Sequence, residues 1–279
     1  MLHLGAFLIV IHGEVAMSVE GKKLLSVERE RMILKLLGAG TTLVLDLSAE
    51  IGVSVATVRR DLIALEKRGK IRRVHGGAVR VGTVDTEPLF GEKIMRNHDV
   101  KTNIAKAALS LVEDSDVIYL DGGSTILELA KLLDAKSDLT IVTNSIMTVV
   151  ELFETNHRLI LVGGEFRKLS RTVVGPITAE TIDKLHIDKA FIGTIGFSFE
   201  EGISTTDSNE AFTKELVMRR SGKVILLLDS SKIGVPAFAR SGSLEDIDIM
   251  VTDADEKSAP ELASASFAAT GIEVMSVKK

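Results

Sequence analysis

Two stretches of the sequence combine residue types that bind negatively charged groups. Residues 54–80 carry six arginines beside small and polar side chains. Asp121–Thr125 reads Asp-Gly-Gly-Ser-Thr and follows an apolar run. Two glycines let a backbone approach an anion closely, and amide N–H groups with two hydroxyls at the start of a helix suit a phosphate. The first stretch therefore suits a polyanion, and the second suits a small phosphate-bearing molecule.

The sequence gives no sign of metal-dependent or catalytic chemistry. Cysteine is absent, which excludes disulfides, thiolate metal ligands and cysteine nucleophiles, and is typical of a reducing cytoplasm. No two of the six histidines are four residues apart, and neither a Walker A string nor a G-x-G-x-x-G string occurs. We therefore predict a cytoplasmic protein with no metal site, no cofactor and no catalytic residue.

The charge is divided unevenly along the 279 residues. The formal net charge is −5, but residues 17–83 hold 13 Lys and Arg against 7 Asp and Glu. Residues 84–279 hold 21 basic against 31 acidic side chains. A basic first part joined to an acidic second part indicates that the first part meets a polyanion.

Residues 1–23 are predicted to be a leader without a function of their own. Their apolar run, Ala6–Ile11, is far shorter than the ~18–20 residues that span a bilayer. No basic residue precedes it, as a secretory signal would require. Met17 is a possible true start, which would make residues 1–16 a translation artefact. We predict neither a membrane partner nor export.

Residues 24–81 are predicted to form a winged helix-turn-helix domain. A first helix begins at Ser26, a second fits Leu45 to Ile51, and Ser54 starts a third. Lys70 to Val81 contains two β-rich runs around a glycine pair, which predicts a hairpin wing. In this arrangement the third helix enters the major groove of double-stranded DNA.

The third helix separates an inner from an outer face. Val58, Leu62 and Leu65 repeat at helical spacing and are predicted to face the core. The residues predicted to contact DNA lie on the outer face and in the wing: Ser54, Ala56, Thr57, Arg59, Arg60, Arg72, Arg73 and His75. Asp61 either holds Arg59, Arg60 or the wing in place, or is an ordinary surface carboxylate. The alternative for the whole set is the solvated face of a protein-interaction module.

After a linker at 82–99, residues 100–279 alternate β-like and helical runs, which predicts an α/β domain with a mostly parallel sheet. Ligands bind such sheets beyond the carboxyl ends of the strands. Polar or glycine residues follow four predicted strands: Asp121–Thr125, Thr143–Ser145, Gly163–Gly164 and Asp229–Lys232. Each alone is more typical of a turn or a helix cap, but together they predict one polar-ligand pocket.

The strings Thr57–Leu62, Leu65–Gly69 and Arg72–Ala78 resemble those of the DeoR family of bacterial winged-helix regulators. The resemblance extends over most of residues 24–255. It implies a one-component transcriptional regulator, usually a repressor of a sugar-uptake or sugar-catabolism operon.

The second part also resembles the DeoR effector domain, which is similar in fold to ribose-5-phosphate isomerase and typically senses a phosphorylated sugar. The resemblance implies that Asp121–Thr125 hold the phosphate and that Lys214 and Lys232 supply positive charge. The full set of implied effector-binding residues is Asp121, Gly122, Gly123, Ser124, Thr125, Thr143, Asn144, Gly163, Gly164, Lys214, Asp229 and Lys232. From spacing alone, Lys214 could equally be a surface lysine paired with Glu210.

A rival hypothesis is a sugar-phosphate isomerase fused to a DNA-binding head. Isomerisation needs carboxylates as general bases. The isomerases carry an acidic string where this chain has Gly193–Phe197. They carry the Glu that acts as general base where this chain has Thr213. We therefore expect binding without turnover, although Asp207 and Glu210 are acids nearby. Two half-sites on DNA require two heads, so we also expect a homo-oligomer, either a dimer or a tetramer.

Overall fold

The structure, a computed structural model, describes residues 26–37, 42–68, 71–74, 77–80 and 87–278. Its first part contains three helices and three strands: α1 (Ser26–Leu36), β1 (Thr42–Leu43), α2 (Val44–Ile51), α3 (Val55–Lys67), β2 (Ile71–Val74) and β3 (Gly77–Arg80). The strands form an antiparallel sheet in the order β1-β3-β2. This confirms the winged helix-turn-helix, and it adds β1, which was not predicted.

The helices of this first part begin and end where their capping residues indicate. Gly52 ends α2 in the left-handed conformation, with φ of 72°. Ser54 caps α3, and its Oγ accepts a hydrogen bond of 3.2 Å from the Thr57 N–H. Val58 and Leu65 are fully buried on the inner face of α3 against Leu47 of α2. The spacing of apolar residues therefore orients α3, which leaves its opposite face to solvent.

The second part, residues 87–278, contains twelve strands, of which seven form one large sheet, with helices between them. Its elements as far as β9 are α4 (Phe90–Met95), α5 (His98–Leu109), β4 (Val117–Leu120), α6 (Ser124–Ala130), β5 (Thr140–Thr143), α7 (Ile146–Glu151), β6 (Arg158–Leu161), β7 (Glu165–Arg167), β8 (Thr172–Val174), α8 (Pro176–Asp183) and β9 (Ile187–Ile192). The remaining elements are β10 (Gly196–Ser198), β11 (Gly202–Thr205), α9 (Ser208–Arg219), β12 (Ser221–Leu228), β13 (Ala239–Gly242), β14 (Ile249–Thr252), α10 (Ala265–Ala268) and β15 (Glu273–Ser276).

The large sheet has the order β15-β14-β12-β9-β4-β5-β6, and every neighbouring pair is parallel. This confirms the predicted α/β class. Its central strands are buried on both faces, as in β12, where Val224 to Leu228 are all buried, whereas the edge strands β6 and β15 are partly exposed. One core cluster contains Tyr119 and Leu226, and the other contains Leu120 and Ile225, so the side chains of each strand divide between two cores.

Segments 166–172 and 197–207 each contain strand residues on both sides of a turn. The first belongs to the antiparallel pair β7-β8. The second belongs to β10-β11, which joins β13 in a small antiparallel sheet. The predicted linker at 82–99 contains α4 and the start of α5, and Asn97 adopts the left-handed conformation between these two helices.

Candidate functional site

The outer face of α3 presents the residues predicted to contact DNA. Ala56, Arg59 and Arg60 are exposed, and Thr57 is half-buried. Ser54 is exposed, and its hydroxyl lies 2.9 Å from the Thr57 hydroxyl. A helix that follows a tight turn and exposes two arginines on its first two turns can enter a DNA groove. The structure brings these five residues onto one surface, and their contacts with DNA stay a prediction.

Asp61 does not have either of the two roles predicted for it. Its carboxylate is buried and accepts two hydrogen bonds from Arg29 of α1, at 2.8 Å from Nε and 3.2 Å from Nη2. This paired geometry is the strong arrangement of an arginine with a carboxylate. Asp61 therefore fastens α3 to α1, and leaves Arg59 and Arg60 to the outer face.

The predicted wing is a hairpin of β2 and β3. Arg72 and Arg73 lie in β2, opposite Val79 and Ala78 of β3. His75 lies outside the described residues. The backbone register confirms the hairpin, whereas the contacts of these three residues with DNA stay a prediction.

A cavity of about 970 Å³ lies at the carboxyl ends of three neighbouring strands of the large sheet. Gly122–Ile126 follows β4, Gly193–Ile195 follows β9, and Asp229–Ile233 follows β12. Parallel strands deliver these three segments to the same edge, as expected for a ligand site in an α/β sheet. The Ser124 and Thr125 hydroxyls have no hydrogen-bond partner among the described residues, although both residues are nine-tenths buried.

Asp121 and Lys214 form a buried ion pair at one wall of this cavity. Lys214 Nζ also donates to the Gly193 carbonyl at 3.0 Å, and the Gly193 N–H donates to Asp121 Oδ2 at 3.0 Å. Burial raises the pKa of the Asp121 carboxyl, and Lys214 opposes that rise. Lys214 therefore lines the cavity and is not the surface partner of Glu210.

Four cations line another side of the cavity. Lys93 and Arg96 come from α4 and its end, Lys101 from α5, and Lys232 from the turn after β12. The Lys101 ammonium is buried and donates to two backbone carbonyls, of Lys93 and Arg96. Burial lowers the pKa of Lys101 to about 8, and the Lys232 and Lys93 charges contribute to this lowering. Burial also lowers the pKa of Lys232, assisted by Lys93 and Arg96.

These four cations are incompletely neutralised. In the part of the chain that the structure describes, no carboxylate lies within ion-pair distance of Arg96, Lys101 or Lys232. Like charges held together in a partly buried site favour binding of an anion. Sequence reasoning found Lys232 but missed Lys93, Arg96 and Lys101, because no local motif marks the α4 and α5 segment.

Carboxylates and hydroxyls line a further side of the cavity. Glu210 is buried, and its Oε2 accepts from the Thr205 hydroxyl at 2.9 Å. Its Oε1 accepts from the Thr172 hydroxyl at 3.1 Å and from Arg167 at 3.4 Å. Asp207 caps α9 by accepting from two backbone N–H groups. Both acids are thus held by protein donors.

Asp229 lines the cavity, but its carboxylate is engaged within its own turn. Oδ1 accepts from the Ser231 N–H at 3.2 Å and from Asn97 Nδ2 at 3.2 Å. These bonds fix the turn that carries Lys232. The structure therefore brings Asp229 to the predicted place, in a position that supports the turn and the α4 to α5 junction.

Five residues of the predicted effector set do not line the cavity: Asp121, Thr143, Asn144, Gly163 and Gly164. The Thr143 hydroxyl donates to the Leu120 carbonyl at 2.7 Å, and Asn144 Nδ2 donates to the Val173 carbonyl at 3.2 Å. A Cβ on Gly164 would lie 2.1 Å from the Thr178 hydroxyl, so packing against α8 requires glycine there. Gly122 also requires glycine for packing, in its case against β8, because a Cβ there would lie 2.0 Å from Thr172 Cγ2.

Over the described ranges, no helix has both the length and the apolar character needed to cross a membrane. No cluster of three or more metal-ligating side chains occurs in those ranges either.

Residues 96–254 match the model of the DeoR C terminal sensor domain, and residues 29–84 match that of the DeoR-like helix-turn-helix domain. The chain belongs to the DeoR family. This DeoR-family protein is 37% identical over 245 residues to the HTH-type transcriptional regulator GlpR of Haloferax volcanii, covering 87% of this chain and 96% of that protein. It is 32% identical to the putative aga operon transcriptional repressor of Escherichia coli O157:H7, over 82% of this chain and 86% of that one.

Among solved structures, the DeoR-family chain overlaps ribose 5-phosphate isomerase A from Methanocaldococcus jannaschii. The two share 19% sequence identity over 49% of this chain and 55% of that chain, with a TM-score of 0.37. The DeoR-family protein is thus a transcriptional regulator with a helix-turn-helix domain and a sensor domain.

Proposed function

We propose that this regulator represses a carbohydrate uptake or catabolism operon and that a phosphorylated sugar, or a metabolite derived from one, controls it. The observation that carries the proposal is the group of four cations, Lys93, Arg96, Lys101 and Lys232, on a cavity large enough for a small ligand. The operon named for the Escherichia coli relative supports the carbohydrate class.

The charge of the cavity favours a phosphate as the anionic group. Two of the four cations, Lys101 and Lys232, have a lowered pKa, chiefly because burial destabilises their charged forms. Asp229 opposes this lowering, and repulsion from the neighbouring cations adds to it. A dianionic phosphate would relieve this repulsion, whereas a single carboxylate would relieve less of it. The unpartnered Ser124 and Thr125 hydroxyls supply hydrogen-bond donors nearby.

The polar wall around Glu210 fits the hydroxyls of a sugar. Thr194, Thr205 and Glu210 line the same cavity as the cations. Carboxylate and hydroxyl groups bind a polyol through directed hydrogen bonds. The proposed ligand therefore carries a phosphate at one end and hydroxyls at the other.

Binding without turnover is the proposed outcome. An isomerase needs a carboxylate that is available to move a proton between carbons. Asp121 is held by Lys214 and the Gly193 N–H, and Glu210 is held by Thr172 and Thr205. The purified protein should show no turnover of pentose or hexose phosphates above background.

The proposed partner of the helix-turn-helix is double-stranded operator DNA, contacted by Arg59 and Arg60 of α3 together with the wing. One such head recognises few base pairs, so we propose that a homo-oligomer places two heads on spaced half-sites. A ligand changes operator affinity only if it binds the DNA-competent and DNA-incompetent states unequally.

A thermal-shift screen tests the effector proposal. Binding to the native state raises the melting temperature, so ribose 5-phosphate, fructose 6-phosphate and related compounds should include at least one that does so. The same sugars without phosphate should have no effect. Lys232→Gln should abolish the shift. Lys223→Gln should keep it, because Lys223 is an exposed residue near the start of β12 and does not line the cavity, whereas Lys232 lies in the turn after that strand. Equal shifts in both variants would contradict the proposal.

A further inference from the structure

Glu87 ties the start of the second part of the chain to the cavity wall. Only residues 81–86 separate it from β3 of the helix-turn-helix domain. Its side chain is 1% exposed and forms ion pairs with Lys93 at 2.6 Å and with Arg167 at 2.8 Å. The Thr206 hydroxyl donates to its Oε2 at 2.7 Å. Three partners from three separate elements thus converge on one carboxylate.

This carboxylate is charged at neutral pH. Burial alone would raise the pKa of Glu87, but Lys93, Thr206 and Arg167 hold it below its usual value. Glu87 is therefore an anion of the protein itself, placed on the wall of the cavity that carries the four cations.

Glu87 and an incoming phosphate would share one cation. Lys93 pairs with Glu87, and both residues line the cavity beside Arg96, Lys101 and Lys232. An ammonium that turns toward a phosphate dianion has a weaker attraction for the carboxylate that it held before. The stability of the Glu87 contact therefore depends on what occupies the cation group.

We propose that Glu87 is the positioning residue that couples the cavity to the DNA-binding head, because a phosphate in the cavity competes with its carboxylate for Lys93. The inference rests on the proposed function and adds the route of its regulation. Loss of the Lys93 contact loosens the segment from Glu87 to Met95, which continues directly into the residues that lead to the wing.

Arg167 of β7 gives the contact a second attachment. Its guanidinium also lies 3.4 Å from Asp207 and 3.4 Å from Glu210, and Glu210 lines the polar wall of the cavity. A ligand that binds Glu210 therefore reaches Glu87 through Arg167, while its phosphate reaches Glu87 through Lys93. Both ends of a phosphorylated sugar act on the same carboxylate.

Glu87→Gln in the full chain tests the inference, with Glu92→Gln as the control. Glu92 is an exposed glutamate of α4 outside the cavity lining. Removing the competing carboxylate should tighten binding of inorganic phosphate and ribose 5-phosphate by at least about fivefold, the lower end of typical coupling between two sites, measured by calorimetry. A purely structural clamp would leave binding unchanged or weaken it. Glu92→Gln should bind as the original chain does.

Amide hydrogen exchange of α4 supplies the second readout. Ligand-free Glu87→Gln should exchange several-fold faster in α4 than Glu92→Gln, and phosphate should accelerate α4 exchange in the original chain. The ligand raises or lowers the operator affinity of the original chain, and Glu87→Gln without ligand should change operator affinity in the same direction. If Glu87→Gln fails to fold, Thr206→Val keeps the Glu87 carboxylate and both of its ion pairs, and should give a smaller change of the same sign. It removes the 2.7 Å hydrogen bond to Glu87 and the 3.3 Å hydrogen bond that Thr206 accepts from Arg167.

The outcomes separate the inference from the proposed function. If the original chain binds a probe, but Glu87→Gln binds it no more tightly and α4 exchange does not respond, the coupling is wrong and the effector proposal stands. If neither probe binds the original chain, the effector proposal is wrong for these ligands. The coupling is then overturned if ligand-free Glu87→Gln and Glu92→Gln have equal α4 exchange and equal operator affinity.

Discussion

Lys214 of α9 donates a hydrogen bond to the carboxylate of Asp121, the residue directly after β4. The two residues are 93 positions apart in the chain. Both side chains are buried, and the Gly193 backbone completes the arrangement with one donor and one acceptor. Three elements of the cavity wall therefore depend on one ion pair. Such a pair costs desolvation energy, so its contribution shows most clearly when one partner is removed.

Lys214→Met should destabilise the protein by about 3–5 kcal/mol, because it leaves the Asp121 carboxylate buried without its cation. Burial raises the pKa of Asp121 and Lys214 opposes that rise, so the pKa in the variant is higher still. A carboxyl whose pKa is higher in the folded state stabilises that state at low pH and loses the effect as pH rises. The gap in free energy of unfolding should therefore shrink from pH 7 toward pH 4. Urea unfolding measures it, and a constant gap would contradict the assignment.

Arg59→Ala and Arg60→Ala should each weaken binding to the DNA upstream of the gene. Each arginine that contacts a phosphate releases a counterion, so its loss should reduce the slope of log affinity against log salt by about one. Lys67→Ala is the matched control, since Lys67 is exposed at the far end of α3. Fluorescence anisotropy at several salt concentrations measures both quantities. Equal effects of all three variants would mean that α3 does not enter a groove by its first turns.

Binding of ribose 5-phosphate at pH 8 should be accompanied by proton uptake. The pKa of Lys101 is lowered to about 8, and a bound dianion favours the charged ammonium and raises that pKa. Affinity should therefore fall as pH rises from 7 through 9. The ligand contributes little to this change, because the second pKa of a phosphate monoester is about 6. Calorimetry in two buffers of different ionisation enthalpy measures the uptake, and identical heats would show that Lys101 does not respond to the ligand.

Asp61→Asn should destabilise the helix-turn-helix domain by about 1.5–3 kcal/mol, because it weakens two hydrogen bonds between Arg29 and a buried carboxylate. Glu50→Gln, at an exposed position of α2, should have little effect. Circular dichroism during urea unfolding of the full chain measures both. If Asp61→Asn unfolds at the same urea concentration as Glu50→Gln, the pair does not fasten α3 to α1.

The parts of the site that could be predicted from sequence are those with a local signature. Val58, Leu62 and Leu65 identify α3 because helical spacing fixes its buried face. Asp121–Thr125 was found because a strand followed by glycines and hydroxyls marks a carboxyl end of a parallel sheet. In both cases neighbouring residues determine the geometry.

The parts that could not be predicted depend on residues far apart in the chain. Asp61 and Arg29 are 32 residues apart in the chain, and Glu87 and Arg167 are 80 residues apart. Lys101 resembles any helical lysine until α5 packs beside the cavity. Gly164 suggested a ligand contact, yet tight packing against Thr178 of α8 accounts for its small size. Such contacts become visible only when the topology is known.

Control of operator binding by a phosphorylated sugar is tested most directly by measuring operator affinity with and without phosphorylated sugars, using the DNA upstream of the gene. Typical coupling energies predict a change of about 5–150-fold for at least one phosphorylated sugar. The same sugar without its phosphate should cause no change, and Lys232→Gln should remove the response while DNA binding persists. If no phosphorylated sugar alters operator binding, or if operator binding of Lys232→Gln responds to the sugar as strongly as that of the original chain, a phosphorylated sugar bound at the four cations does not control this regulator.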